Sequence, residues 1–155
     1  MYLEDGWNDF YKWWCRFEGY TLVEGKVMMS RLCSCEVEGF IVIRLYANPT
    51  PCHDYEHCID LYCFDMDLFC LKLKPGDRVK AKIDIYGEMR ESREKRIYVP
   101  PANKKEFYRI TGKVISPTQV DFDYFTLNLE DCRIPKFVEY VDIEADFSLD
   151  EIETI

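Results

Sequence analysis

Three apolar alternations follow one another between Glu38 and Tyr86, and each predicts a strand with one buried face. Side chains on a strand point to opposite sides with a period of two, so every run divides into two sets. In Phe40 to Tyr46 the inner set is Ile41, Ile43 and Leu45, which leaves Phe40, Val42, Arg44 and Tyr46 outside. In Ile59 to Asp65 the inner set is Ile59, Leu61 and Cys63, and Asp60, Tyr62 and Phe64 face out. In Arg78 to Tyr86 the inner set is Val79, Ala81, Ile83 and Ile85, with Lys80, Lys82, Asp84 and Tyr86 outward.

The flanking pattern predicts further elements. Trp7, Phe10, Tyr11, Trp14 and Phe17 recur at helical spacing between Asp5 and a stop at Gly19, which predicts an N-terminal amphipathic helix packed on the sheet. Tyr20 to Met29 reads as a strand with a bulge or bend at Gly25. Asn48 to His57 reads as a loop, given Pro49 and Pro51. Met66, Phe69 and Leu73 shift the pattern towards a short helix before Pro75 and Gly76 turn the chain. A charged stretch, Arg90 to Arg96, then precedes a short fifth strand at Ile97 to Val99. Beyond Pro100 and Pro101, strands are predicted at Tyr108 to Ile115, Phe122 to Leu129 and Phe137 to Ile143. The stretch Tyr108 to Val114 partly repeats Tyr20 to Val27, with a gap of one residue.

The order strand, strand, strand, short helix, strand, charged loop, strand, together with LKPGDRVKAKI at Leu73 to Ile83, resembles the OB-fold superfamily. The resemblance covers residues 20–99 and implies a mainly β, five-stranded Greek-key barrel that takes its ligand across strands two and three, between two clamping loops. The expected layout is a helix at 1–19, a barrel at 20–100, added strands at 107–143 in the same domain, and an acidic tail at 144–155. Acidic tails with interspersed hydrophobic residues are similar to those of bacterial and phage single-strand-binding proteins, although Ile155 stands where the bacterial pattern has Phe. A solvated tail or a terminal helix near Ser148 is the plain alternative.

Charge sharpens the picture. The net charge of -9 argues against a polyanion partner, but its distribution is uneven. Gly76 to Ile115 carries eleven Lys or Arg against six acids, whereas Phe137 to Ile155 holds seven acids and no base. Without that last segment the body is at -2. Rings interleaved with cations suit stacking on bases and neutralising phosphates. The candidate nucleic-acid-binding residues are therefore Arg44, Tyr46, Tyr62, Phe64, Lys80, Lys82, Tyr86, Arg90, Arg93, Lys95 and Arg96. A second layer covering the aromatics is the competing structure. The competing function is a protein-interaction module docking a partner or an identical subunit.

The eight cysteines read as reduced thiols packed as small hydrophobes, with disulfides and metal as alternatives. Cys52, His53, His57 and Cys58 could form a local metal site. Cys33 and Cys35 are also zinc-type ligands, but the strand Phe40 to Tyr46 spans about 23 Å and is expected to place them at the opposite end of the sheet from that group. No cofactor is expected. No run of about 18 apolar residues is present, so no membrane partner is expected either. Met1 to Gly19 lacks a basic start and a small-residue cleavage site, which points to a cytoplasmic location. No Walker loop, dinucleotide fingerprint, HExxH or GxSxG occurs, and the expectation is a binding protein rather than an enzyme.

Overall fold

The computed structural model describes residues 13–46, 58–99 and 108–155. Eight strands form one mixed sheet: β1 (Trp14–Leu32), β2 (Gly39–Tyr46), β3 (Cys58–Asp65), β4 (Arg78–Glu91), β5 (Tyr108–Ser116), β6 (Gln119–Asp121), β7 (Thr126–Leu129) and β8 (Tyr140–Thr154). A single 3-10 turn, Phe69–Leu71, lies between β3 and β4. It stands where a short helix is expected.

The sheet closes on itself through three long strands. β4 pairs antiparallel with β1 from Arg78 to Arg90 on one side and with β8 from Val79 to Glu91 on the other, making a wall β1–β4–β8. At one end of this wall β1 pairs with β2, β2 with β3, and β3 with β8 in parallel at Cys63 and Phe64, so the pairings return to their start through five strands. At the other end β8 pairs with β5, β5 with β6, β6 with β7, and β7 with β1 at Gly19 and Tyr20. The second circuit reuses all three wall strands. This is how the partial repeat at Tyr108 to Val114 is accommodated: it begins a second circuit that is completed by strands of the first.

One parity is buried along the whole wall. Phe17, Gly19 and Thr21 on β1, Val79 to Ile85 at odd positions on β4, and Val141, Ile143, Ala145, Phe147 and Leu149 on β8 all face inward. Both circuits therefore enclose one continuous core, with Phe125 stacked on Phe122 at 5.1 Å and edge-on to Phe147 at 6.2 Å. The inner sets predicted for the three central strands are all buried here.

Three expectations give way. No α-helix occurs among the described residues, and Trp14 to Phe17, predicted as the end of the N-terminal helix, open β1. The rest of that segment lies outside the described residues. Ile97 to Val99 does not act as the fifth barrel strand and makes only an isolated bridge, Tyr98 to Thr111. β8 instead completes the five-strand circuit, so the acidic residues 144–154 are strand and not tail. Gly25 does lie at a close approach, since a Cβ there would meet the Arg44 carbonyl at 2.6 Å. The bulge itself falls at Met28, where the β1–β2 register shifts between Val27 and Met29.

Candidate ligand-binding face

The register of β1, β2 and β3 arranges their outward side chains in rows. Arg31 pairs with Phe40 and Phe40 with Phe64, so one row reads cation, ring, ring across three strands. The two rings are 5.0 Å apart and half-buried, while Arg31 is exposed. The next row is Met29, Val42 and Tyr62. The third is Lys26, Arg44 and Asp60, and Tyr46 lies beyond it, 53% exposed.

Within this face Arg44 is already matched. Its Nε donates to Asp60 Oδ1 at 2.7 Å and its second amine to Oδ2 at 2.9 Å, a two-pronged pair with the carboxylate buried. Hydrogen bonding to Asp60 raises the guanidinium pKa above its ordinary value. Charge-assisted forks of this kind fix geometry as well as charge. Val42 is only 3% exposed although it points outward, whereas its row neighbours Met29 and Tyr62 are half-buried, like Phe40 and Phe64.

The remaining candidates lie away from this face. Lys80 is exposed between Glu24 on β1 and Glu153 on β8. Lys82 bridges to Asp150 at 3.3 Å and lies 5.1 Å from the Tyr20 ring centre. Tyr86, 40% exposed, sits between Glu18 and Asp146. Arg90 is buried with Glu144 at 3.0 Å, and Glu144 also receives Arg109. Arg93, Lys95 and Arg96 are exposed in the segment after β4, with Arg96 3.9 Å from Glu94. Of Cys52, His53, His57 and Cys58, only Cys58 lies within the described residues, at the start of β3.

Parity alone therefore found the correct faces but not their directions. A sheet bent into a closed circuit turns β4 away from β2 and β3, and the outward side of the wall is acidic. Burial, and then the neighbouring Asp150 charge, raise the Asp84 carboxyl above its usual range; burial does the same for Asp146. The Tyr86 hydroxyl is pushed up by burial and by Asp146 and Asp84. Lys26 and Arg31, which border the aromatic rows, went unread because the bulge at Met28 breaks the alternation of β1.

Two neighbours on β8 are expected to act in opposite senses with pH. The Asp146 carboxyl is raised in the fold, so the fold binds its proton more readily and stability is lost as pH rises through the carboxylate range. Asp146→Asn should raise the melting temperature at neutral pH and give no gain in acid. Glu144 is held below its usual range, first by the hydrogen bond from Arg109. Its contribution is present at neutral pH and lost as pH falls through the lowered value, so Glu144→Gln should lower the neutral melting temperature. Thermal melts across pH read both; the same sign for the two variants would refute the assignment.

The thiols divide into two groups. Burial pushes Cys15 up to about 12, with the Cys132 sulfur 3.5 Å away, and burial also raises Cys63, Cys70 and Cys132. Such thiols stay protonated at neutral pH and are poor nucleophiles. Cys35, in the β1–β2 turn, is instead exposed and lowered by its hydrogen bond with Cys33. No protein-family model, curated protein or solved structure matches the chain, so the assignment of the face turns on the geometry just described.

Proposed function

We propose that the five-strand circuit is an OB-type Greek-key barrel, and that the outer face of β2 and β3 binds single-stranded nucleic acid. The circuit order β1, β2, β3, β8, β4 with a parallel step from β3 to β8 fits that family, with β8 as fifth strand and residues 92–139 inserted before it. The observation that carries the ligand reading is the row Arg31, Phe40, Phe64, in which a cation borders two adjacent rings. Tyr46 adds an exposed ring and Lys26 a second cation on the same face. Rings stack on any base and cations track the backbone, so the mode tolerates many sequences. The contact set narrows to Lys26, Arg31, Phe40, Tyr46, Tyr62 and Phe64. Arg93, Lys95 and Arg96, in the segment following β4, stand where the family places a clamping loop.

Titration of a labelled oligothymidine by fluorescence anisotropy tests this with the full chain. Binding should weaken steeply with salt, and Arg31→Ala should reduce the slope by about 0.7. Tyr46→Ala, at an exposed position that the fold does not need, should cost about 1 to 3 kcal/mol for its stacked base. Absence of binding at low salt rejects the proposal.

A second reading is a protein-interaction module, favoured by one observation. The outward wall of β1, β4 and β8 concentrates Glu18, Glu24, Asp84, Asp146, Glu151 and Glu153, a surface suited to a cationic protein segment and hostile to phosphates. Binding of a cationic peptide that weakens with salt, without oligonucleotide affinity, would favour it.

A further inference from the structure

The turn that joins β1 to β2 gathers three metal-type donors. Cys33 and Glu38 close it, the Cys33 N–H donating to the Glu38 carbonyl at 2.8 Å. The Glu36 N–H donates back to the Cys33 carbonyl at 2.9 Å, with Glu36 itself at φ 64. That left-handed residue, unfavourable for anything but glycine or asparagine, folds Cys35 back over the start of the turn. The Cys35 sulfur then lies 3.0 Å from that of Cys33, and both sulfurs and a Glu38 carboxylate oxygen fall within 4.8 Å of one another. Cys35 is exposed and Cys33 and Glu38 are half-buried, so the cluster is open to solvent on one side.

We infer that this turn binds one thiophilic divalent cation of the zinc type through Cys33 Sγ, Cys35 Sγ and the Glu38 carboxylate, with water in the fourth position. Two Zn–S bonds of about 2.3 Å at the tetrahedral angle hold their sulfurs about 3.8 Å apart. The pair must open by about 0.8 Å from its 3.0 Å separation, which rotation of the exposed Cys35 side chain can supply. The donor set is soft enough to exclude magnesium or calcium, which take oxygen ligands. Residues 32–38 contain Glu36 and Glu38 and no Lys or Arg to oppose a cation. A divalent cation would displace the two thiol protons to solvent on binding and offset two of the three negative charges of its ligands. It would also lock the turn at the mouth of the aromatic face. The site does not depend on which ligand that face takes.

Cobalt(II) and zinc titrations of the reduced full-length chain, under inert gas, test the inference. One cobalt per chain should give a thiolate-to-metal charge-transfer band that zinc displaces and magnesium does not. Cys33→Ser and Cys35→Ser should each weaken zinc binding by at least about 100-fold, and Glu38→Gln by about tenfold. The wild-type circular dichroism spectrum should persist in all three, because the turn lies at the surface. Equal zinc affinity in the Cys33→Ser/Cys35→Ser double variant would overturn the site by placing the metal on other cysteines. Magnesium competing as well as zinc would overturn it. So would failure of cobalt to bind at one equivalent per chain.

Discussion

Removing residues 144–155 is expected to abolish folding, giving an insoluble or molten chain with no cooperative thermal transition. The deleted residues form most of β8, which pairs with β4 from Val79 to Glu91 and with β3 at Cys63 and Phe64. Ala145, Phe147 and Leu149 would leave the core, and the parallel step that closes the five-strand circuit would be gone. Unpaired edges on β3 and β4 would then face solvent, a template for aggregation. A graded version keeps the strand and empties one site. Phe147 is fully buried and meets Phe125, so Phe147→Ala should cost about 3 to 5 kcal/mol. At about 2 to 4 °C per kcal/mol for a domain of this size, the melting temperature should fall by about 6 to 20 °C. A truncated chain that melts cooperatively near the wild-type temperature would show that β8 is dispensable. The same result would restore the tail reading and permit a tail-deletion test of ligand binding, which the strand assignment forbids.

Asp65→Ala should be nearly as costly. Asp65 ends β3 with no exposed surface, and its two carboxylate oxygens accept from the backbone N–H groups of Phe69 at 3.0 Å and Cys70 at 2.6 Å. These bonds fold the chain from β3 into the 3-10 turn, which begins after Leu68 in a left-handed conformation at φ 59. The turn is also tied to β1, since Ser30 Oγ donates to the Cys70 carbonyl at 2.9 Å. Alanine leaves two donors without acceptors in a buried place, for a loss of about 3 kcal/mol. Asparagine keeps a single acceptor oxygen and should lose about half as much. Denaturant unfolding would measure both, and a loss under about 1 kcal/mol for Asp65→Ala would mean that water replaces the carboxylate freely.

Much of the central sheet was legible because its strands obey a strict period of two. Ile41, Ile43, Leu45, Ile59, Leu61, Cys63, Val79, Ala81, Ile83 and Ile85 were assigned inward from the alternation, and all are buried. The same alternation continues through Val141, Ile143, Ala145, Phe147 and Leu149, separated by Asp142, Glu144, Asp146 and Ser148. The strand predicted at Phe137 to Ile143 stops short of its full extent, because the seven acids of the last nineteen residues favour a tail beyond Ile143. A charged strand is stable here because its acids face solvent while its small and apolar residues face the core. Trp14 and Phe17 misled in the other direction: their helical spacing is real, but pairing with Gly87 to Arg90 holds that segment extended. Local periodicity yields when a long partner strand offers a full ladder of hydrogen bonds.

What the chain determined by itself was which side of each central strand is apolar, that the chain turns at Pro75 and Gly76, and that aromatic side chains gather on the outer sides of β2 and β3. Only the tertiary structure decided which outward faces belong together. Parity is a property of one strand, whereas the direction of a face depends on how the sheet bends and which strands close it. That bend places Lys80 and Lys82 among the acids of β8, gives Arg44 to Asp60, and brings Arg31 beside Phe40 across a bulge that no pattern within β1 announces.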